Sequence, residues 1–105
     1  MNNEISKISS IIGDPVRSVI LWTLLDNRAY TAIELANIVE TSPQNISIHL
    51  SKLLKADLLT VESQGRHKYY KLLNPEIASV IEGIANLVPK DRQQKVTNKD
   101  SKIKF

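Results

Sequence analysis

A mostly α-helical domain carrying one small β-hairpin is predicted for this chain, and three observations predict it. Two short amphipathic helices, each opened by its own cap, lie between positions 31 and 55 with only a few residues between them. An alternating segment follows over 58–62, and a glycine-tipped turn at 63–65 then leads into a basic return segment over 66–72. In that order the elements outline a winged helix-turn-helix, an α+β arrangement in which the second helix faces outward and the hairpin stands beside it.

At the start of the chain, Ile5, Ile8 and Ile12 precede an Asp14-Pro15 break. Beyond it Val16, Val19, Ile20, Leu24 and Leu25 mark a strongly apolar helix, with Trp22 and Thr23 interleaved. This helix is too apolar for burial on one side alone. The next helix opens at Thr31-Ala-Ile-Glu34, a capping box in which hydroxyl and carboxylate satisfy otherwise orphaned backbone N–H groups. Its apolar positions Ala32, Leu35, Ala36 and Val39 share one face.

After Glu40 and Thr41, Ser42 is placed to cap the following helix, and Pro43 suits its first turn because its missing N–H has no partner there anyway. Ile46, Leu50, Leu53 and Leu54 define the inward side of this helix. At about 100° per residue the opposite side is Gln44, Ile48, Ser51, Lys52 and Lys55, flanked by Asn45, Ser47 and His49. A free face of amides, hydroxyls and lysines suits a nucleic-acid groove. An ordinary solvated amphipathic pair has the same pattern, so the hairpin that follows carries weight. Its tip and return strand hold Arg66, His67, Lys68 and Lys71. Such a wing can lay Arg66 along a phosphate ridge or into a minor groove. At the end of the ordered pattern, Asn74 can cap, Pro75 begins the turn, and Ile77, Val80, Ile81, Ile84, Ala85 and Val88 form a wide stripe.

The two outer helices, with Ile5, Ile8, Ile12, Trp22, Ile77, Val80, Ile81 and Ile84, suggest a self-complementary dimer interface. The other reading is that both stripes only close the monomer core. In a dimer, the two reading helices are expected to enter half-sites of an inverted repeat about 34–36 Å apart.

Composition agrees with a single folded domain over residues 1–88: 105 residues, 42% of them hydrophobic, give one modest core. Residues 89–105 are polar and charged, and a disordered basic tail or linker is expected there. The formal charge of +3 is unevenly spread. Residues 43–71 carry +3 and residues 90–105 carry +4, while 1–42 and 72–89 each carry −2. Attraction for phosphates is therefore concentrated in the reading helix, the wing and the tail. With no cysteine, disulfides and thiolate metal sites are excluded. Without a leader-like segment or a stretch of transmembrane length, a cytoplasmic protein with no membrane partner is expected.

An enzyme is not expected. The chain has no cysteine nucleophile, no glycine-rich phosphate loop and no histidine pair at metal-binding spacing. Neither His49 nor His67 has a strong second ligand three or four residues on, so no metal and no cofactor are expected. His49 reads as a DNA or phosphate contact and His67 as a wing residue, and either would make affinity depend on pH.

The ordered set Gly13-Asp-Pro15-Val-Arg17, Glu34-Leu-Ala36, Ser42-Pro43, Ile46-Ser-Ile-His-Leu50, Lys52-Leu53-Leu54 and Gln64-Gly-Arg-His-Lys-Tyr-Tyr70 resembles the ArsR family of bacterial winged-helix regulators. The resemblance covers roughly residues 5–88. It implies a homodimeric transcription factor that binds double-stranded DNA, usually a repressor, with its dimer surface built from the first and last helices. By motif position it implies DNA contacts from Ser42, Gln44, Asn45, Ser47 and His49, with Arg66 in the wing. Thr31, Ile48, Ser51, Lys52, His67 and Lys68 complete the candidate DNA-binding set.

Metal-sensing members use cysteine near Glu34-Leu-Ala36, or Asp and His on the last helix. This chain has Ala36-Asn37-Ile38 and only Glu76 and Glu82 in those places, which points to the type that senses no metal. Two further departures matter. Glu40 stands where many members have glycine, so the backbone there either avoids positive φ or accepts strain. Ile48 stands where relatives often have arginine, and is either a small exposed apolar spot or a contact for a thymine methyl group. Some longer relatives continue past such a linker into a second domain, and the expectation is that this chain is the N-terminal part of a larger regulator. The alternative function is a winged-helix module that grips a protein partner or RNA.

Overall fold

A computed structural model describes residues 2–89 and Asp91. Helix α1 runs Asn2–Gly13 and α2 runs Pro15–Thr23, followed by a single 3₁₀ turn, Leu24–Asp26. Helix α3 spans Ala32–Val39 and α4 spans Pro43–Lys55. The antiparallel strands β1, Leu59–Gln64, and β2, His67–Leu72, make the hairpin, and α5, Pro75–Ala85, closes the order. The expected α+β winged helix-turn-helix is the observed fold.

Local chemistry fixes each start. The Asp14 carboxylate accepts from the backbone N–H groups of Val16 and Arg17, both at 3.0 Å, and Pro15 follows as first residue of α2. That backbone N–H of Arg17, helped by the Arg17 charge and opposed by burial, holds the Asp14 carboxyl below the usual carboxylate range. The Thr31–Glu34 capping box is complete, with the Glu34 N–H donating to Thr31 Oγ1 at 3.2 Å and the Thr31 N–H donating to Glu34 Oε1 at 2.8 Å. Ser42 accepts from the Asn45 N–H at 3.1 Å, and Asn74 accepts from the Ile77 N–H at 3.2 Å.

The stops are equally local. Glu40 takes φ 57°, and the N–H groups of Glu40 and Thr41 return to the carbonyls of Asn37 and Ala36 at 3.3 and 2.9 Å. These are the paired bonds of a Schellman closure, so the chain accepts the left-handed residue that the sequence left in question. Asp57 repeats the device after α4 at φ 60°, with Leu58 N–H returning to Leu53 C=O at 3.0 Å. At the hairpin tip Gly65 supplies φ 63°, where a side chain is disfavoured. The register pairs Leu59 with Leu72 and Gln64 with His67.

One pairing joins distant segments. Tyr30 and Tyr70 exchange both backbone hydrogen bonds, at 2.9 and 2.8 Å, so the residue before α3 adds a short third rung beside β2. The Tyr30 hydroxyl donates to Asp26, and burial together with that bond raises its pKa well above the ordinary tyrosine range.

The core gathers Ile20, Leu21 and Leu24 from α2 and its 3₁₀ extension, Leu35 and Ala36 from α3, and Ile46, Leu50 and Leu53 from α4. Leu58, Leu59, Leu72 and Ile81 close it from the hairpin and α5. Ile81, expected in an interface between protomers, is 7% exposed and contributes to the monomer core. Trp22, Ile8, Ile12 and Ile77 are partly buried against the same core. The outer edge of the stripes is open, with Ile5, Val80 and Ile84 at 55%, 53% and 44% exposure. A wide stripe on a small helix has one edge for the core and one for solvent or a partner, and periodicity does not say which residue takes which.

Candidate nucleic-acid interface

Helix α4 is anchored on one side and free on the other. Ile46, Leu50 and Leu53 are buried, which leaves Gln44, Ser47, Ile48, Lys52 and Lys55 exposed along the opposite face. Ser51 is half-buried at its edge. Ile48 is 55% exposed, an apolar group amid amide, hydroxyl and ammonium neighbours. At the start of the helix Pro43 has no N–H and the Asn45 N–H is taken by Ser42, but the aligned peptide dipoles still favour negative charge there. Lys52 and Lys55 in the last turn keep the rest of the face positive.

Not every candidate points outward. The Ser42 hydroxyl is engaged as a cap, and the Thr31 hydroxyl is engaged in the capping box of α3. Asn45 is half-buried, its amide Nδ2 donating to Thr41 Oγ1 at 2.7 Å, so it braces the turn between the two helices. His49 departs furthest from expectation. Its side chain is 12% exposed, and Nδ1 lies 3.0 Å from Arg17 Nη1 and 3.6 Å from Asp14 Oδ2. The ring thus turns toward the start of α2 and away from the free face. Spacing of about 100° per residue puts His49 at the flank of α4, where inward and outward rotamers are equally compatible with the sequence.

The hairpin stands beside this helix. Arg66, His67 and Lys68 are all exposed at its tip, and the rings of His67 and Tyr69 meet edge-on with centroids 6.4 Å apart. Alternation explains that contact, because residues two apart on a strand share a face. Lys71 is exposed nearer the base. An outward polar helix flanked by a cationic loop is a surface able to hydrogen-bond base edges and neutralise phosphates.

Arg17, which the sequence offers only as the end of the Gly13–Arg17 motif, has a structural role that no local pattern marks. It is 8% exposed, and its Nε donates to the Ile11 carbonyl at 2.8 Å while Nη1 reaches His49. The partners are six and thirty-two residues away, beyond any helical or strand period. Among the described residues there is no group of three or more His, Asp or Glu placed to hold a metal ion. No single described helix is long and apolar enough to cross a membrane.

Residues 12–62, from the end of α1 into β1, match a family model described as a helix-turn-helix domain. The chain is 46% identical over 104 residues to the uncharacterized HTH-type transcriptional regulator YdfF of Bacillus subtilis (strain 168), an alignment covering 99% of this chain and 45% of that protein. It therefore spans about half the length of that relative. It is 30% identical over 70 residues to the arsenical resistance operon repressor of the same organism, covering 67% of each. Among solved structures, the homodimeric winged helix-turn-helix DNA-binding domain of Mb0332 from Mycobacterium bovis, a possible ArsR-family regulator, superposes with a TM-score of 0.69 at 15% identity, over 81% of this chain and 78% of that one. At that identity the superposition speaks to the fold. The two curated relatives speak to descent, and by them this chain belongs to the ArsR family of winged helix-turn-helix transcriptional regulators.

Proposed function

We propose that this chain binds double-stranded DNA as a homodimer, places α4 of each protomer in a major groove of an inverted repeat, and represses transcription from that site. The hairpin then lies on the flanking backbone or in the adjacent minor groove. The observation that carries this reading is the exposure of Gln44, Ser47, Ile48 and Lys52 on α4 together with that of Arg66, His67 and Lys68 on the tip of the adjoining hairpin. Amides and hydroxyls on this face suit base edges, Ile48 suits a thymine methyl group, and the cations suit phosphates.

Residues 1–88 act in this reading as one DNA-binding and dimerisation unit, with Ile5, Ile8, Ile12, Ile77, Val80 and Ile84 supplying the surface between protomers. Trp22 supports that surface from behind, being packed against the core. Two of the similar proteins favour the finer points: one is named an operon repressor and the other a homodimeric DNA-binding domain. Apart from Pro89 and Asp91, the expected basic tail at 89–105 lies outside the described residues.

The test is selection of a preferred duplex from a random library, followed by titration across salt. Replacing Gln44, Ser47 and Ile48 together by Ala should remove the preference for that duplex. Arg66→Ala should weaken all duplexes alike and lower the salt slope by about 1. Unchanged affinity and slope in both variants would defeat this reading.

A further inference from the structure

Three side chains join the reading helix to the junction of α1 and α2. Arg17 donates through Nε to the carbonyl of Ile11, in the last turn of α1, where the helix presents its negative end to the guanidinium. Its Nη1 lies 3.0 Å from His49 Nδ1, in the middle of α4. A guanidinium has donors only, so Nδ1 must accept, which requires a neutral imidazole with its proton on Nε2. Asp14 Oδ2 stands 3.6 Å from the same Nδ1 while capping α2 through two backbone N–H groups.

We propose that Arg17 and His49 form a latch that fixes the pose of α4 against α1 and α2, and that the latch closes only while His49 is neutral. The proposal rests on the DNA reading above and gives His49 a part in it different from touching DNA. Gln44, Ser47, Ile48, Ser51 and Lys52 sit within one and a half turns of His49, so a small rotation of α4 re-aims all of them together. Because α1 carries Ile5, Ile8 and Ile12, the Ile11 carbonyl ties this pose to the proposed surface between protomers.

Protonation puts an N–H on Nδ1 facing the guanidinium N–H, donor against donor and cation against cation. Asp14 Oδ2, 3.6 Å away, can then accept, and the ring exchanges Arg17 for Asp14. The charged groups that face His49 are Arg17 of α2 and Asp14, the cap before it. Of the other elements packed on α4, α3 carries Glu34, held in its own capping box, and β1 carries Glu62, exposed on the hairpin. Sequence preference should therefore fall on acidification, while general phosphate attraction should not.

The chain has two histidines, so His67→Gln leaves His49 as the one imidazole. In that variant the ¹⁵N spectrum of the ring, taken without DNA, should show the Nε2–H tautomer near pH 8. The ratio of affinities for the selected duplex and a scrambled one should fall about tenfold between about pH 8 and about pH 5.5, the scale of losing a hydrogen bond to a charged group. Adding His49→Gln should keep the ratio high and flat across pH, because its amide oxygen accepts from Arg17 and does not titrate. Adding His49→Ala should lower the ratio at every pH. An Nδ1–H tautomer, or the same pH dependence with and without His49→Gln, overturns the latch. Selection that recovers no preferred duplex removes the DNA reading and the latch with it, whereas a preferred duplex read equally well at both pH values removes the latch alone.

Discussion

Asp14 shows how much one side chain can carry at a helix start. Its carboxylate closes two backbone N–H groups of α2 and lies beside the Arg17–His49 contact. Asp14→Ala should cost about 1 kcal/mol of stability at neutral pH, the usual worth of an N-cap. The pKa of this carboxyl is lower in the folded chain than its ordinary 3.8, so its contribution is present above that value and is lost as pH falls through the folded one. Denaturant titrations of both proteins should therefore differ at pH 7 and converge in strong acid. A gap that stays constant across that range would show that charge has no part in the cap. Capping residues such as Thr31, Ser42 and Asn74 were legible in the sequence because a cap answers to groups two or three residues away, whereas Asp14 was read only as part of a break before Pro15. The Arg17–His49 contact was not legible, since nothing local marks which buried side chains meet across thirty-two residues.

Between α3 and α4, the turn accepts a glutamate at φ 57°. A left-handed conformation costs a non-glycine residue about 1–2 kcal/mol, while glycine costs about 0.4–1 kcal/mol through the entropy of the unfolded chain. Glu40→Gly should accordingly raise stability by roughly 0.5 kcal/mol, seen as a thermal midpoint a few degrees higher, and Glu40→Val should lower it. If the valine variant melted at the parent temperature, strain at this position would be refuted. The elements α3, α4 and the hairpin were readable to within a residue or two, because a cap, Pro or Gly marks them, whereas the start of α1 was not placed and the stripe drawn to Val88 overran α5, which ends at Ala85. The Tyr30–Tyr70 rung escaped notice, as a single pair has no period to betray it. How far Ile81 serves the monomer core was not legible for a related reason: the stripe of α5 is wide enough to serve two neighbours at once.

For the molecule as a whole, the open edge formed by Ile5, Val80 and Ile84 has a direct consequence under the proposed dimer. Joined protomers meet the second half-site at high effective concentration, and separated ones do not. Val80→Asp with Ile84→Asp should give a monomer by sedimentation and weaken binding to a two-half-site duplex by about a hundredfold or more. The helical signal in circular dichroism should persist, since both side chains are exposed. A variant that still sediments as a dimer would move the interface elsewhere. The positive charge of residues 43–71, set against the negative balance of 1–42, orients an approaching duplex before any base is met. The backbone rung between Tyr30 and Tyr70 adds a mechanical property to that encounter. It ties the hairpin at Tyr70, opposite Val61, to the residue before α3, and the five residues from Gln64 to Lys68 lie further out along the ladder than that tie. Under the proposed DNA reading, that tie holds the middle of the hairpin to α3 while its tip reaches outward to the flanking backbone.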